Sequence, residues 1–199
     1  MSKLTQALNE IIHWLKLNYP EDVLRFRQGL SINEIKKATH NFPFVLPKEV
    51  IELYQFCDGD IMLGPNDFVL YSLNSALKWS PHWEEGYKYP PNNDNHILTL
   101  MHGLGKDVYY VLCNREVKDY SPVWHAYAGY SSTSVQMYAS SLTNLMLTIA
   151  ECYREGAYYA SFDEEVGYLT IEQNLEKVEK IFQKYNPEQI DAWREDWIG

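Results

Sequence analysis

Two kinds of spacing between apolar residues divide this chain of 199 residues into three segments. Before residue 60 and again after residue 140, apolar residues recur every three or four positions, which is the spacing of an amphipathic helix. Between residues 97 and 139 they form short runs separated by turn-forming residues, which is typical of antiparallel strands. This order predicts an α+β fold, in which an antiparallel meander sheet of about five to six strands is packed by N-terminal and C-terminal helices.

Three helices are predicted before the sheet. The apolar face of the first helix is formed by Leu4, Leu8, Ile11, Ile12 and Leu15. Pro20 is expected to end this helix. Ser31 and Glu34 have the spacing of a capping box, which predicts the start of the second helix. The third helix is expected to have Pro47 as its first helical residue and to be ended by Gly59 in the left-handed conformation.

The middle of the chain contains five strand candidates, which are Phe68–Tyr71, Ile97–Met101, Asp107–Cys113, Val123–Ala128 and Val135–Ala139. Both faces of Val108–Cys113 are apolar, so we expect a central strand that is covered on both sides. A helical turn is predicted at Ser75–Trp79. Residues Pro81–Asn95 contain Gly, three Pro and several Asn, and this composition predicts a long loop.

Helices are predicted again after residue 140. The first, capped by Ser140 or Ser141, has an apolar face of Leu142, Leu145, Met146, Ile149 and Tyr153. The apolar face of the next is formed by Ile171, Leu175, Val178, Phe182 and Tyr185. A last helix is predicted to begin at Asn186 and to carry Ile190, Trp193 and Trp197. We expect the two tryptophans to pack this helix against the rest of the domain. The chain is therefore divided into a domain at residues 1–160 and an acidic helical extension, packed on that domain, at residues 161–199.

Several short motifs follow one another along residues 4–157. They are Trp14-Leu15-Lys16 with Tyr19-Pro20-Glu21, Gly29-Leu30-Ser31 with Glu34-Ile35, Leu46-Pro47 with Leu53-Tyr54 and Asp58-Gly59, Phe68 to Leu73, and Tyr138-Ala139-Ser140-Ser141-Leu142 with Leu145. In this order they resemble the SUKH superfamily of the Smi/Knr type. The enlarged loop at residues 81–95 and the acidic segment after Phe162 depart from the pattern of that family.

The resemblance implies a SUKH-like domain at residues 1–160. Fungal members of the superfamily are linked to cell-wall synthesis, and bacterial members are largely immunity proteins of polymorphic toxins. For this chain the resemblance implies non-enzymatic protein binding, in particular an immunity protein that binds and neutralises a basic toxin domain. The alternative within the same superfamily is an intracellular scaffold or regulator of the cell-wall-synthesis type.

The charge of the chain restricts its partners. It carries 17 Lys and Arg against 27 Asp and Glu, a formal net charge of −10, and residues 151–199 alone carry five basic and twelve acidic residues. Such a surface repels phosphate backbones and anionic lipids, so neither direct nucleic-acid binding nor membrane binding is expected. A basic protein partner is favoured, because opposite charges steer two proteins together. The alternative is that the charge provides solubility alone.

The candidate partner-binding residues are aromatic and acidic residues in and beside the predicted loop, namely Trp79, Trp83, Glu84, Glu85, Tyr87 and Tyr89. Large aromatic side chains are typical of protein-binding hot spots, because they bury much area at low entropic cost. The competing interpretation is that these aromatic residues cover the sheet. We expect the chain to be a monomer or a weak dimer.

No motif predicts a catalytic residue, a cofactor or a metal site. Gly105-Lys106 lacks the other residues of a P-loop, and Gly129–Thr133 lacks the final Gly of a nucleophile elbow. The histidines of the middle leave a further alternative open, a small His-dependent hydrolase or metal enzyme. Its candidate ligands are His82, His96, His102 and His125 with Glu84, Glu85 or Asp94.

The cysteines and the N-terminus indicate the compartment. Cys57, Cys113 and Cys152 are odd in number and widely spaced, which suggests neither a disulfide framework nor a zinc cluster. The first residues, Met1 to Tyr19, lack the apolar run of a signal peptide. These features predict a cytoplasmic protein.

Overall fold

The N-terminal region forms helices because its apolar residues fall on one side of each turn. The computed structural model describes residues 1–65, 68–87, 95–103, 107–128, 133–164 and 167–197. Its first helices are α1 (Lys3–Asn18), α2 (Pro20–Val23), α3 (Ile32–Ala38) and α4 (Lys48–Phe56). All five residues of the predicted first apolar face are buried, which confirms that helix.

Local hydrogen bonds and backbone angles define the ends of these helices. The Ser31 hydroxyl accepts from the Glu34 N–H and the Glu34 carboxylate accepts from the Ser31 N–H at 2.8 Å, so the capping box is confirmed. The prediction for Pro47 is wrong by one residue. Pro47 has a non-helical ψ of 150°, so α4 begins at the next residue. Its carbonyl still takes part in the first turn, where it accepts from the Val50 N–H. Gly59 has the predicted left-handed conformation, with a φ of +81°. The prediction that it ends α4 is wrong, because the helix already ends at Phe56 and the extended Cys57 is its C-cap.

The sheet is an antiparallel meander, in which each strand pairs with the next one along the chain. Its strands are β1 (Ile61–Gly64), β2 (Phe68–Leu70), β3 (Asn95–His102), β4 (Asp107–Asn114), β5 (Val123–Ala128) and β6 (Thr133–Ala139). The five strand predictions and the α+β class are confirmed. Strand β1 is not predicted from the sequence, because four residues are too few to show a period.

Both faces of the sheet carry buried residues. Tyr109 and Val111 of β4 lie in the main core, together with apolar residues of α1, α4 and α6. Val108 and Tyr110 of the same strand lie in a smaller apolar cluster. Because successive side chains of a strand point to opposite faces, this alternation confirms that β4 is covered on both sides.

Helix α5 (Leu73–Tyr87) follows β2 and continues through Pro81. The predicted loop is therefore wrong for residues 81–87 and for Asn95, which begins β3. Residues 88–94 lie outside the described residues. The Ser80 hydroxyl donates to the Ala76 carbonyl and accepts the Thr99 N–H of β3 at 3.0 Å. These bonds hold α5 beside the part of β3 that does not pair with β2.

The C-terminal region contains both helices and strands. Its elements are α6 (Leu142–Arg154), β7 (Tyr158–Asp163), β8 (Tyr168–Gln173), α7 (Leu175–Tyr185), a short 3-10 helix at Pro187–Gln189 and α8 (Ile190–Trp197). Ser141 caps α6, since its hydroxyl accepts from the Asn144 N–H at 3.0 Å. Because β7 and β8 pair as a hairpin, the expectation that Ile171 belongs to a helix is wrong, and the segment 161–199 is not wholly helical.

The last helices contribute to the same core as the first. Phe182 of α7 and Trp193 of α8 are buried with residues of α1, and their rings stack with centroids 5.7 Å apart. Trp193 therefore docks α8, whereas the side chain of Trp197 lies outside the described residues. The boundary expected between residues 160 and 161 falls inside β7. In the part of the chain that the structure describes, no helix has the length and apolarity needed to cross a bilayer.

Candidate partner-binding surfaces

Helix α5 contains all the predicted partner-binding residues except Tyr89. The Trp79 side chain is 42% exposed, and the Lys78 Nζ lies 5.6 Å from the centre of its ring. Four further residues belong to this helix but have side chains outside the described residues, namely Trp83, Glu84, Glu85 and Tyr87. Tyr89 falls in the undescribed segment 88–94. The binding role of this set stays a prediction.

The start of α5 is fixed by side chains that cap its free backbone groups. The Asp58 Oδ1 accepts from the Leu73 N–H at 2.9 Å, and the Ser72 hydroxyl accepts from the Ser75 N–H at 3.3 Å. A carboxylate at a helix N-terminus also interacts favourably with the helix dipole. The Asp58-Gly59 turn therefore fixes the first turn of the helix that carries Trp79.

The histidines of the middle region occupy separate environments. His96 stacks on Phe44 with ring centroids 5.3 Å apart, and His102 packs against Tyr71 with centroids 4.7 Å apart. His96 and His102 are six residues apart on β3, about 20 Å along the strand, which is too far for one metal ion. The described residues contain no group of three or more His, Cys, Asp or Glu side chains that could hold a metal. The side chain of His82 and the residue Asp94 lie outside the described residues.

His125 is buried on β5 and pairs with Asp107 at the start of β4. The His125 Nε2 lies 2.9 Å from the Asp107 Oδ1, and the imidazole stacks on Tyr109 with centroids 4.7 Å apart. Asp107 and Tyr109 border a cavity of about 30 Å³. This cavity has room for one or two water molecules and is far below the roughly 300 Å³ of a typical ligand pocket. This geometry is that of a histidine packed in the protein interior.

An open groove of about 510 Å³ lies beside the ends of β4 and β5. Its apolar border is formed by Leu112 and Trp124, with the exposed side chains Val117 and Tyr120 of the connecting segment. No sequence pattern predicts this groove, because its residues belong to a turn-rich connection and to the ends of two strands.

The basic side chains of residues 151–199 are held by acceptors of the same region. The ion pairs are Arg154–Glu151 at 3.0 Å, Lys180–Glu176 at 2.6 Å, Lys184–Glu151 at 2.6 Å and Arg194–Glu179 at 2.6 Å. The fifth cation, Lys177, donates to the Glu155 carbonyl at 3.2 Å. Because all five cations lie beside acceptors, they form no separate basic patch, and the segment keeps a net charge of −7.

Glu151 joins α6 to α7 through a buried carboxylate. It accepts from the Lys184 Nζ at 2.6 Å, from the Tyr185 hydroxyl at 2.5 Å and from the Arg154 guanidinium at 3.0 Å. Burial raises the pKa of Glu151, but these hydrogen bonds and the positive charges of Lys184 and Arg154 outweigh burial, so the pKa lies below its ordinary value of 4.5. The ionised carboxylate therefore ties α7 to α6.

The hairpin β7–β8 exposes three aromatic side chains outside the predicted site. Tyr159 is 44% exposed, Phe162 60% and Tyr168 55%. They are not among the predicted residues, because the spacing of Ile171 and Leu175 favours a helix in this segment. The run of alternating apolar residues that begins at Tyr158, followed by an acidic turn with Gly167, is the signal that would have predicted a hairpin.

Neither protein-family models nor curated proteins provide a match to this chain. Over the described residues, the fold defines an α+β protein with a six-stranded antiparallel meander sheet and a separate two-stranded hairpin. The resemblance to the SUKH superfamily stays a prediction.

Proposed function

We propose that this chain is an immunity protein, a non-enzymatic module that binds a basic toxin domain and neutralises it. The observation that carries the proposal is the charge of residues 151–199, where a net charge of −7 remains while each cation is held locally. The SUKH-like order of motifs supports the same class of function.

Electrostatic steering favours the encounter of this acidic chain with a basic toxin domain. A toxin domain that acts on nucleic acid presents a basic surface, because that surface must bind phosphates. An acidic protein attracts such a surface, and opposite fields raise association rates by roughly 10- to 1000-fold. Covering the basic surface is sufficient for neutralisation, so the chain needs no bond-making chemistry of its own.

The test is co-expression with the candidate toxin domain encoded beside the gene of this chain. We expect cells to survive the toxin domain only when the chain is present. Glu176→Lys with Glu188→Lys is expected to reduce survival at least about tenfold, since two exposed carboxylates of the acidic segment become basic. The matched control is Glu116→Lys with Asp119→Lys, which makes the same change of charge and also breaks one surface ion pair, that of Asp119 with Lys48.

The outcomes separate the alternatives. Failure of the unmodified chain to protect cells, or the lack of a toxin domain beside its gene, would contradict the immunity function. Equal loss of protection in both charge variants would show that net charge alone matters and not the C-terminal segment. Recovery of several weakly bound partners instead of one stoichiometric partner would favour a scaffold or regulator.

A further inference from the structure

The outer face of the hairpin β7–β8 places two exposed tyrosines directly opposite carboxylates. In the strand register Tyr159 faces Glu172, and Tyr168 faces Asp163. Directly opposed residues of antiparallel strands have Cβ atoms about 5 Å apart. Each pair therefore combines an aromatic ring and a negative charge within reach of a single ligand group.

The inner face holds this hairpin in place. Ile171 is buried in the core, Tyr158 packs against the core, and the Asn174 N–H closes the base by donating to the Ala157 carbonyl at 2.8 Å. Phe162 lies four residues beyond Tyr158, about 13 Å further along the strand, and is mostly exposed. No other strand of the described residues pairs with either edge. The far half of the hairpin thus projects from the body.

A ring beside a carboxylate is suited to an Arg or Lys side chain. The cation lies over the face of the ring while its N–H groups donate to the carboxylate. Tyr159 and Asp163 belong to different pairs and are four residues apart on β7, which separates the two pairs by about 13 Å. This distance also separates residues i and i+4 of an extended chain, so two cations of one partner segment can occupy both pairs.

The negative charge of residues 151–199 favours a basic polypeptide over a lipid surface as the ligand of the outer face of the hairpin. Exposed aromatic residues also suit a lipid surface, but the net charge of −7 in residues 151–199 repels the anionic lipids of most membranes. The same charge attracts a basic polypeptide and raises its rate of association.

We propose that the outer face of the hairpin β7–β8 is the docking surface for a basic polypeptide, which places two Arg or Lys side chains on the pairs Tyr159–Glu172 and Tyr168–Asp163. This inference rests on the proposed function, because it locates the contact with the basic partner.

The test is an NMR titration of the isotope-labelled full chain with a synthetic peptide. The peptide carries two arginines four positions apart in a background of Thr and Val, and a matched peptide carries two glutamates instead. We expect saturable amide shifts centred on residues 158–173 with the arginine peptide and none with the glutamate peptide. Vesicles of anionic phosphatidylglycerol are expected to cause no shifts in this region.

Variants identify the groups that bind the peptide. Tyr159→Leu combined with Tyr168→Leu is expected to weaken binding of the arginine peptide about tenfold, because both ring contacts are lost. Glu172→Gln is expected to weaken it about threefold. The control is Tyr127→Leu, which removes a comparably exposed tyrosine of β5 outside the hairpin and is expected to leave affinity unchanged. Thermal unfolding checks that every variant keeps the fold.

Shifts centred on another surface, unchanged affinity in the double variant, or no saturable binding would overturn this inference. Shifts caused by the anionic vesicles would also overturn it, since they would assign the face to lipid. Survival assays separate this result from the proposed function. If the Tyr159→Leu and Tyr168→Leu chain still protects cells fully, the docking surface is wrong while the immunity function stands.

Discussion

Gly59 has a backbone conformation and surroundings that other residues cannot share. Its φ is +81°, and a Cβ atom there would lie 2.3 Å from the Ser72 backbone nitrogen. We expect Gly59→Ala to lower the free energy of unfolding by about 3 kcal/mol, because both backbone strain and a clash result. The control is Gly167→Ala, with a φ of +77° and no atom of the described residues within 4 Å of the added carbon, for which about 1 kcal/mol is expected. If urea unfolding gives the same loss of free energy for both variants, the proposed clash at Gly59 is wrong.

Glu49 links three segments through one buried carboxylate. It accepts from the N–H groups of Ser121 at 3.1 Å, Leu142 at 3.3 Å and Thr143 at 3.1 Å. Glu49→Ala removes the acceptor of all three, and we expect a loss of about 3 kcal/mol in the free energy of unfolding. Glu49→Gln keeps one oxygen acceptor and should lose clearly less. Chemical denaturation measures both, and an identical loss in the two variants would refute this role of Glu49.

At the scale of secondary-structure elements, Glu151 makes the contact of α6 with α7 sensitive to pH. Its pKa is lowered on folding, so the unfolded chain binds more protons than the folded chain in acid. The stabilisation is therefore complete above the ordinary pKa of 4.5 and is lost as the pH falls through the lower folded value. We expect Glu151→Gln to flatten the pH dependence of the free energy of unfolding below about pH 4.5. Glu188→Gln, on the exposed surface, should change it little.

Urea unfolding of the three chains between about pH 3 and about pH 6 provides the comparison. If the free energy of unfolding of Glu151→Gln falls with pH as steeply as that of the unmodified chain, Glu151 is not the source of the pH dependence.

The elements that the sequence predicts are those with a clear period. The strands β3 to β6 are short apolar runs between turns, and α1 and α6 have long amphipathic faces. The predicted helical turn at Ser75–Trp79 lies in α5, but the continuation of this helix is missed, because Pro81 is typical of a helix end although the helix continues through it. The hairpin β7–β8 is not predicted, because Ile171 and Leu175 are four residues apart, which is a helical spacing. In the structure Ile171 belongs to β8 and Leu175 begins α7. Spacing alone does not show where one element ends and the next begins.

At the scale of the whole molecule, the sequence predicts the sign of the partner's charge but not the place of contact. The net charge and its concentration after residue 150 follow from counting. The aromatic contacts depend on which side chains the fold leaves exposed. Trp79 of the predicted set is partly exposed, whereas Trp193 is buried, and exposed aromatic residues appear on the hairpin β7–β8. Only the tertiary packing separates aromatic residues of the core from those that can bind a partner.

The most direct measurement is a calorimetric titration of the purified full chain into the purified candidate toxin domain at low and at high salt. The account predicts a saturable complex of fixed stoichiometry, with an affinity that falls as salt screens the opposite charges. A lack of binding, or an affinity that salt leaves unchanged, would contradict the claim that an acidic surface of this chain holds a basic protein.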